Sequence, residues 1–128
     1  MKIEVSIGEV VDKITILQIK KENVPDPIKL EYINDELNIL SQALTDENIE
    51  VPNDLIKELQ GVNQLLWDTE DIIRDKEKTQ TFDEEFVTHA RRDAEYNDMR
   101  FLVKNKINNH CGSQIKEQKS YDGLYTAD

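Results

Sequence analysis

The chain has 128 residues, enough for one domain with a modest core, and its 34% of charged residues beside 38% hydrophobic ones describe a soluble, helix-rich protein. A formal net charge of −11 excludes a protein that coats nucleic acid, yet it permits a few cations to converge on a small anion. No apolar run is long enough to span a membrane, the N-terminal MKIEVSIGEVV has no signal-peptide core, and Cys111 stands alone, so cytoplasmic residence without disulfides is expected.

Ser6 and Glu9 form a capping-box pattern, with Val5 and Val10 at staple spacing, which predicts a first helix from Ile7 to about Glu22. The segment ENVPDP then breaks the chain, and Asp26 before Pro27 starts a second helix. That helix carries Leu30, Ile33, Leu37, Leu40 and Leu44 at alternating spacings of three and four, the pattern of a packing or oligomer seam. After TDENIEVPND a third helix runs from about Asp54 to Lys78. Thr81 and Glu84 predict the cap of a fourth, from Phe82 to about His110, which Gly112 ends. The short turn between the last two helices implies an antiparallel hairpin. One all-α domain over residues 1–128 is therefore expected. It is a helical bundle built on a long hairpin (about residues 54–110) with two shorter N-terminal helices and a partly ordered tail over 112–128.

The last helix holds the most informative pattern. At about 100° per residue, Asp93, Asn97, Arg100 and Lys104 fall on one line that Asn108 continues. Tyr96, Val103 and Ile107 flank the line on one side and Ala90, Ala94 and Phe101 on the other, so the polar stripe faces inward. Buried charge must be paired, which makes the stripe either an internal ion-pair network or the wall of a pocket. On the third helix Glu70, Arg74 and Glu77 project close to the apolar face, and the hairpin sets Glu70 level with Asp93. On the first helix Glu9, Lys13 and Lys20 lie on one line, and Glu9–Lys13 and Glu70–Arg74 have the spacing of intrahelical ion pairs. Trp67 and Tyr96 are candidate stacking faces. His89, on the apolar side of the fourth helix, reads as a satisfied, partly buried histidine.

Arginine and lysine give a multidentate grip on phosphate or carboxylate, and asparagine reads a base or sugar edge. The residues from 91 to 119 are also locally basic, with Arg91, Arg92, Arg100, Lys104, Lys106, Lys116 and Lys119. These patterns predict a pocket for a small anionic ligand, a nucleotide or sugar phosphate, lined by Lys13, Trp67, Arg74, Tyr96, Asn97, Arg100, Lys104 and Asn108. An alternative is a Mg²⁺-dependent enzyme of the nucleotide-pyrophosphohydrolase kind, in which Glu70, Glu77 and Asp93 hold the metal. The paired ExxE and ExxD spacings of those all-α enzymes are absent from WDTEDIIRDKE and ARRDAEYND, and Arg74 would neutralise the acids. A third alternative is an interaction module without a small ligand. Apolar seams that one chain does not cover predict a homo-oligomer.

Four segments, VSIGEVVDKITILQIK, NQLLWDTEDIIRDKE, FVTHARRDAEYNDMRFLVKNKIN and GSQIKEQKSY, make the chain similar to a family of small uncharacterised all-helical proteins from bacteria and their phages. The resemblance implies a shared fold and no named activity. It implies that Glu9, Asp12, Lys13, Trp67, Glu70, Asp71, Arg74, Glu77, Asn97, Asp98, Arg100, Lys104 and Asn108 belong to the family pattern. Ser113, Lys119 and Tyr121 match it too, so the tail is expected to fold over the site. In a phage setting the role would be to sequester a host signalling nucleotide.

Overall fold

The computed structural model describes residues 1–124, which form four helices and no strand: α1 (Ile7–Asn23), α2 (Pro27–Asp46), α3 (Asn53–Lys78) and α4 (Glu84–Cys111). Side-chain caps set three of the four starts. Ser6 Oγ accepts from Glu9 N at 3.1 Å, and Asp26 Oδ1 accepts from Ile28 N at 2.9 Å. Only half of the first capping box forms, because the Glu9 carboxylate turns to Lys104. Helix α4 starts at Glu84, two residues later than Phe82, and its cap is Asp83, not Thr81. Asp83 Oδ1 accepts from Phe86 N at 2.9 Å while Lys76 holds Oδ2 at 3.0 Å; the Thr81 hydroxyl is 2.8 Å from that of Thr79 instead.

Helices α2, α3 and α4 end alike. Asn48, Gln80 and Gly112 each adopt positive φ, and the following amide reaches back to a carbonyl five residues earlier (Ile49 to Leu44, Thr81 to Lys76, Ser113 to Asn108). This is the left-handed stop that closes a helix C-terminus.

Helices α3 and α4 form the expected hairpin, and α1 packs against both. Their common core is Val11, Leu59, Val62, Leu66, Val103 and Ile107. Helix α2 lies against α1, with its Leu30–Leu44 seam half-buried and Leu44 touching the core; none of its 20 residues is fully buried. The helix thus uses its seam on its own chain and turns the opposite face outward.

Residues 112–124 run without a helical turn, held to α4 and the start of α1 by polar contacts. Ser113 Oγ accepts from Ile7 N at 3.1 Å and donates to Ile115 O at 2.8 Å, and Leu124 N donates to the buried Asp98 Oδ2. The expected partly ordered tail is followed to residue 124; residues 125–128 lie outside the described residues. Among the described residues no helix is long and apolar enough to cross a membrane.

Gly8 decides how closely α1 approaches α4. Its amide donates to Asn108 Oδ1 at 2.6 Å, and a Cβ at this position would lie 2.6 Å from the Lys104 carbonyl oxygen. That oxygen is backbone and cannot swing away, so the helices must separate to admit a methyl group. Gly8→Ala is expected to cost about 1–3 kcal/mol in urea denaturation, as overpacking does. An unchanged midpoint would refute the close approach.

Candidate functional site

The polar residues gather around one fully buried carboxylate. Asp12 lies on the inner face of α1 with Gly8, Val11, Thr15 and Ile19, and is 0% exposed. Arg100 grips it with two donors, Nε to Oδ1 at 2.9 Å and Nη2 to Oδ2 at 2.5 Å. Asn63 Nδ2, from α3, donates to Asp12 Oδ1 at 3.0 Å and to Thr15 Oγ1 at 2.9 Å; Thr15 donates back to the Asp12 carbonyl. Three helices are thus tied at one point. Burial pushes the Asp12 carboxyl up, but the Arg100 and Asn63 hydrogen bonds and the charges of Arg100 and Lys104 together hold it below the usual range.

One turn along α4, Lys104 is buried with Glu9 Oε2 at 2.8 Å and the tail's Glu117 Oε2 at 3.1 Å. Burial alone would lower its pKa; Glu9, Asp12 and Glu117 outweigh that and raise it. Outside this layer lies a cavity of about 230 Å³ lined by Glu9, Asn97, Arg100, Phe101, Lys104, Glu117 and Lys119. Asn97 Nδ2 is committed to the Asp93 carbonyl at 3.0 Å, so Oδ1 is the atom it can offer a ligand. Lys119 sits 5.8 Å from the centre of the Phe101 ring, in cation–π range, and 3.9 Å from Glu117.

Of the expected ligand-binding residues, Asn97, Arg100 and Lys104 line this cavity. Lys13 and Arg74 are exposed elsewhere, and Asn108 is buried with its Oδ1 spent on Gly8 N. Trp67 is half-buried away from the cavity and Tyr96 packs against the core, so Phe101 supplies the aromatic wall that they were expected to give. Neither Glu9–Lys13 nor Glu70–Arg74 closes to ion-pair distance; Glu9 prefers the desolvated Lys104. Sequence reading missed Asp12 as the hub, and Glu117. A charge on the same face as Val11, Thr15 and Ile19 was a legible signal for Asp12. Glu117 had none, because a tail without periodicity has no face.

The acidic residues on the hairpin, expected as metal ligands, do not all come together. Glu70 and Asp93 are neighbours, but Glu77 is exposed nearer the hairpin tip, and no three metal-ligating groups come together among the described residues. Partial burial first, then Asp93, raise the Glu70 pKa, while Arg74 and Arg100 pull it down. Asp93 Oδ1 is buried without a hydrogen-bond partner, which a protonated Glu70 would supply. His89 is less satisfied than expected: Nδ1 is also buried without a partner, while Nε2 lies 3.8 Å from Glu85.

A family model described as a family of unknown function (DUF6165) matches residues 1–127. No curated protein and no solved structure matches the chain.

Two predictions follow from the charges. Arg100→Ala strands the Asp12 carboxylate and is expected to cost about 3–5 kcal/mol by chemical denaturation, more than the double change Asp12→Leu with Arg100→Met. Equal losses would mean that Asp12 is not desolvated. Glu70, with a folded pKa above its unfolded one, binds its proton more tightly in the native state, so its stabilising contribution is lost as pH rises from the ordinary carboxylate range through the raised value. Glu70→Gln should therefore stabilise the protein at neutral pH and not at acid pH; a pH-independent effect would contradict the raised Glu70 pKa.

Proposed function

We propose that this chain, which belongs to the DUF6165 family of unknown function, binds a small phosphorylated, hydroxyl-bearing ligand of the sugar-phosphate class in the cavity beside Lys104. The observation that carries the reading is the make-up of that cavity: Arg100, Lys104 and Lys119 stand with Glu9 and Glu117 around a polar space of about 230 Å³, against the Phe101 ring. Cations suit a phosphate, and carboxylates suit hydroxyl donors while repelling a bare polyanion. The volume is below the roughly 300–1,000 Å³ of sites that enclose a drug-sized molecule, so a nucleotide would enter by its phosphate end only. Sequestering a signalling nucleotide, in a phage or elsewhere, is therefore the narrower form of this reading.

Arg100 is already committed to Asp12, so its part is to present a fixed, partly exposed positive edge. Lys104 is the group that can change partner. Glu117 comes from a segment without secondary structure and sits farther from Nζ than Glu9 does (3.1 against 2.8 Å). An incoming phosphate takes the place of Glu117 on Lys104, and Lys119 follows the tail to the ligand. We also propose a cytoplasmic setting and self-association. The lone cysteine fits the first, and exposed apolar residues on α2 and α4 support the second.

A second reading has its own support: every charge in the buried layer has a counter-ion within the chain, so the cluster also serves as a purely structural tie. Thermal melts with inorganic phosphate, sugar phosphates and mononucleotides, with and without Mg²⁺, separate the two. A ligand at a hundred times its Kd should add about 2.7 kcal/mol of stability. Glu117→Gln is expected to tighten phosphate binding by about tenfold, a change of ~1.4 kcal/mol, and Lys119→Ala to weaken it by a similar factor with helicity unchanged. Silence from every compound at millimolar concentration would leave only the structural tie.

A further inference from the structure

Two outward faces of the molecule are apolar and opposite in charge. On α4 a groove of about 840 Å³ is lined by Phe86, Val87, Ala90 and Ala94 with Arg91 and Arg92 at its edge, and Leu124 and Glu95 beside them. Val87, Ala90 and Ala94 are spaced three and four residues apart and therefore form one line along the helix. All three are exposed, and the two alanines let a second helix come close. Among the described residues neither Arg91 nor Arg92 is in an ion pair, and the chain as a whole carries a net charge of −11.

The other face belongs to α2. Ile28, Tyr32 and Ile39 are 67%, 73% and 68% exposed, and at 100° per residue they fall within a narrow stripe opposite the seam that packs on α1. Asp35 and Asp46 lie on the same line, Glu31 and Glu36 flank it, and Lys29 is the one cation of the helix. An acidic helix with an apolar stripe is what a groove rimmed by arginines accepts. The lengths agree as well: from Ile28 to Ile39 is about 17 Å of helix, and from Phe86 to Glu95 about 14 Å.

We propose that a second copy of this chain is the occupant, with α2 of each protomer seated in the α4 groove of the other. The proposal rests on the self-association proposed for this chain and names the surfaces that perform it. A two-fold axis makes the contact twice, so both faces, which no other helix covers among the described residues, are buried on both chains and the assembly closes. An unrelated partner would cover only one of them. Doubling the contact also moves the buried area toward the roughly 1,200–2,000 Å² of a stable interface.

Light scattering after size exclusion is the test, on the full chain and with circular dichroism to confirm the fold. The wild type is expected at twice 14.9 kDa. Arg91→Glu with Arg92→Glu sets acidic α2 against an acidic groove and should give monomers. Glu31→Arg with Asp35→Arg sets a basic helix against a basic groove and should do the same. Mixing the two variants makes both contacts complementary again, and the dimer mass should return. A wild-type monomer at high micromolar concentration would overturn self-association itself. A dimer that survives both reversals would overturn these faces and leave self-association standing. A ladder of higher masses would overturn the closed two-fold arrangement.

Discussion

Asp12 carries a full negative charge into a place where water does not reach, and most of the structure can be understood from what that requires. A carboxylate there is tolerable only while Arg100 grips both oxygens and Asn63 supplies a third donor. Those donors come from α4 and α3, so the pairing fixes the rotation of both helices relative to α1. An apolar residue in place of the pair could pack as well or better, but it would not specify which turn of α4 faces which turn of α1. The buried charges act here as a register device, and Gly8 complements them: by letting the α1 backbone touch the Lys104 carbonyl, it brings Asp12 within reach of the guanidinium.

The cavity is a by-product of the same constraint. Once Arg100 is bound to Asp12 and Lys104 to Glu9, the outer edges of both cations are held rigidly at the surface of the α1–α4 contact, and the tail lies across them. Glu117 and Lys119 complete a ring of alternating charge that is nearly neutral, although the protein as a whole is strongly acidic. A pre-positioned cation with a replaceable counter-ion is a sound basis for recognising phosphate, since the cost of ordering the side chain has been met in folding. The middle of the hairpin is built on different terms. There Asp93 Oδ1 is buried without a hydrogen-bond partner beside Glu70, and a proton on Glu70 would supply one.

The outward faces follow from how α2 is attached. A helix that offers its leucine seam to α1, and reaches the core only through Leu44, must leave its second face to solvent or to a partner. The end of the hairpin is likewise only two helices thick, so α4 has an outer side beyond the reach of α1. Both faces are therefore consequences of an appended fourth helix on a three-helix core.

Much of the secondary structure was legible in the chain. Ser6, Asp26 with Pro27 and Gly112 are local signals that act through their own neighbours, and they placed the starts of α1 and α2 and the end of α4 within a residue or so. The apolar lines of α3 and α4 gave the hairpin, and the inward position of Arg100 and Lys104 was visible from the same periodicity. The cap of α4 was misread because Thr81 and Asp83 are both good caps in isolation, and only Lys76, reaching across the turn, settles the choice for Asp83. The helices, their faces and the presence of buried charge were thus legible in the chain before any packing was known. Only the tertiary structure decided who pairs with whom: that Arg100 belongs to Asp12, that Glu9 leaves its own helix for Lys104, and that Glu117 arrives from the tail. Periodicity reports the direction of a side chain about its own axis, whereas an ion pair depends on the distance between two axes, which packing alone sets.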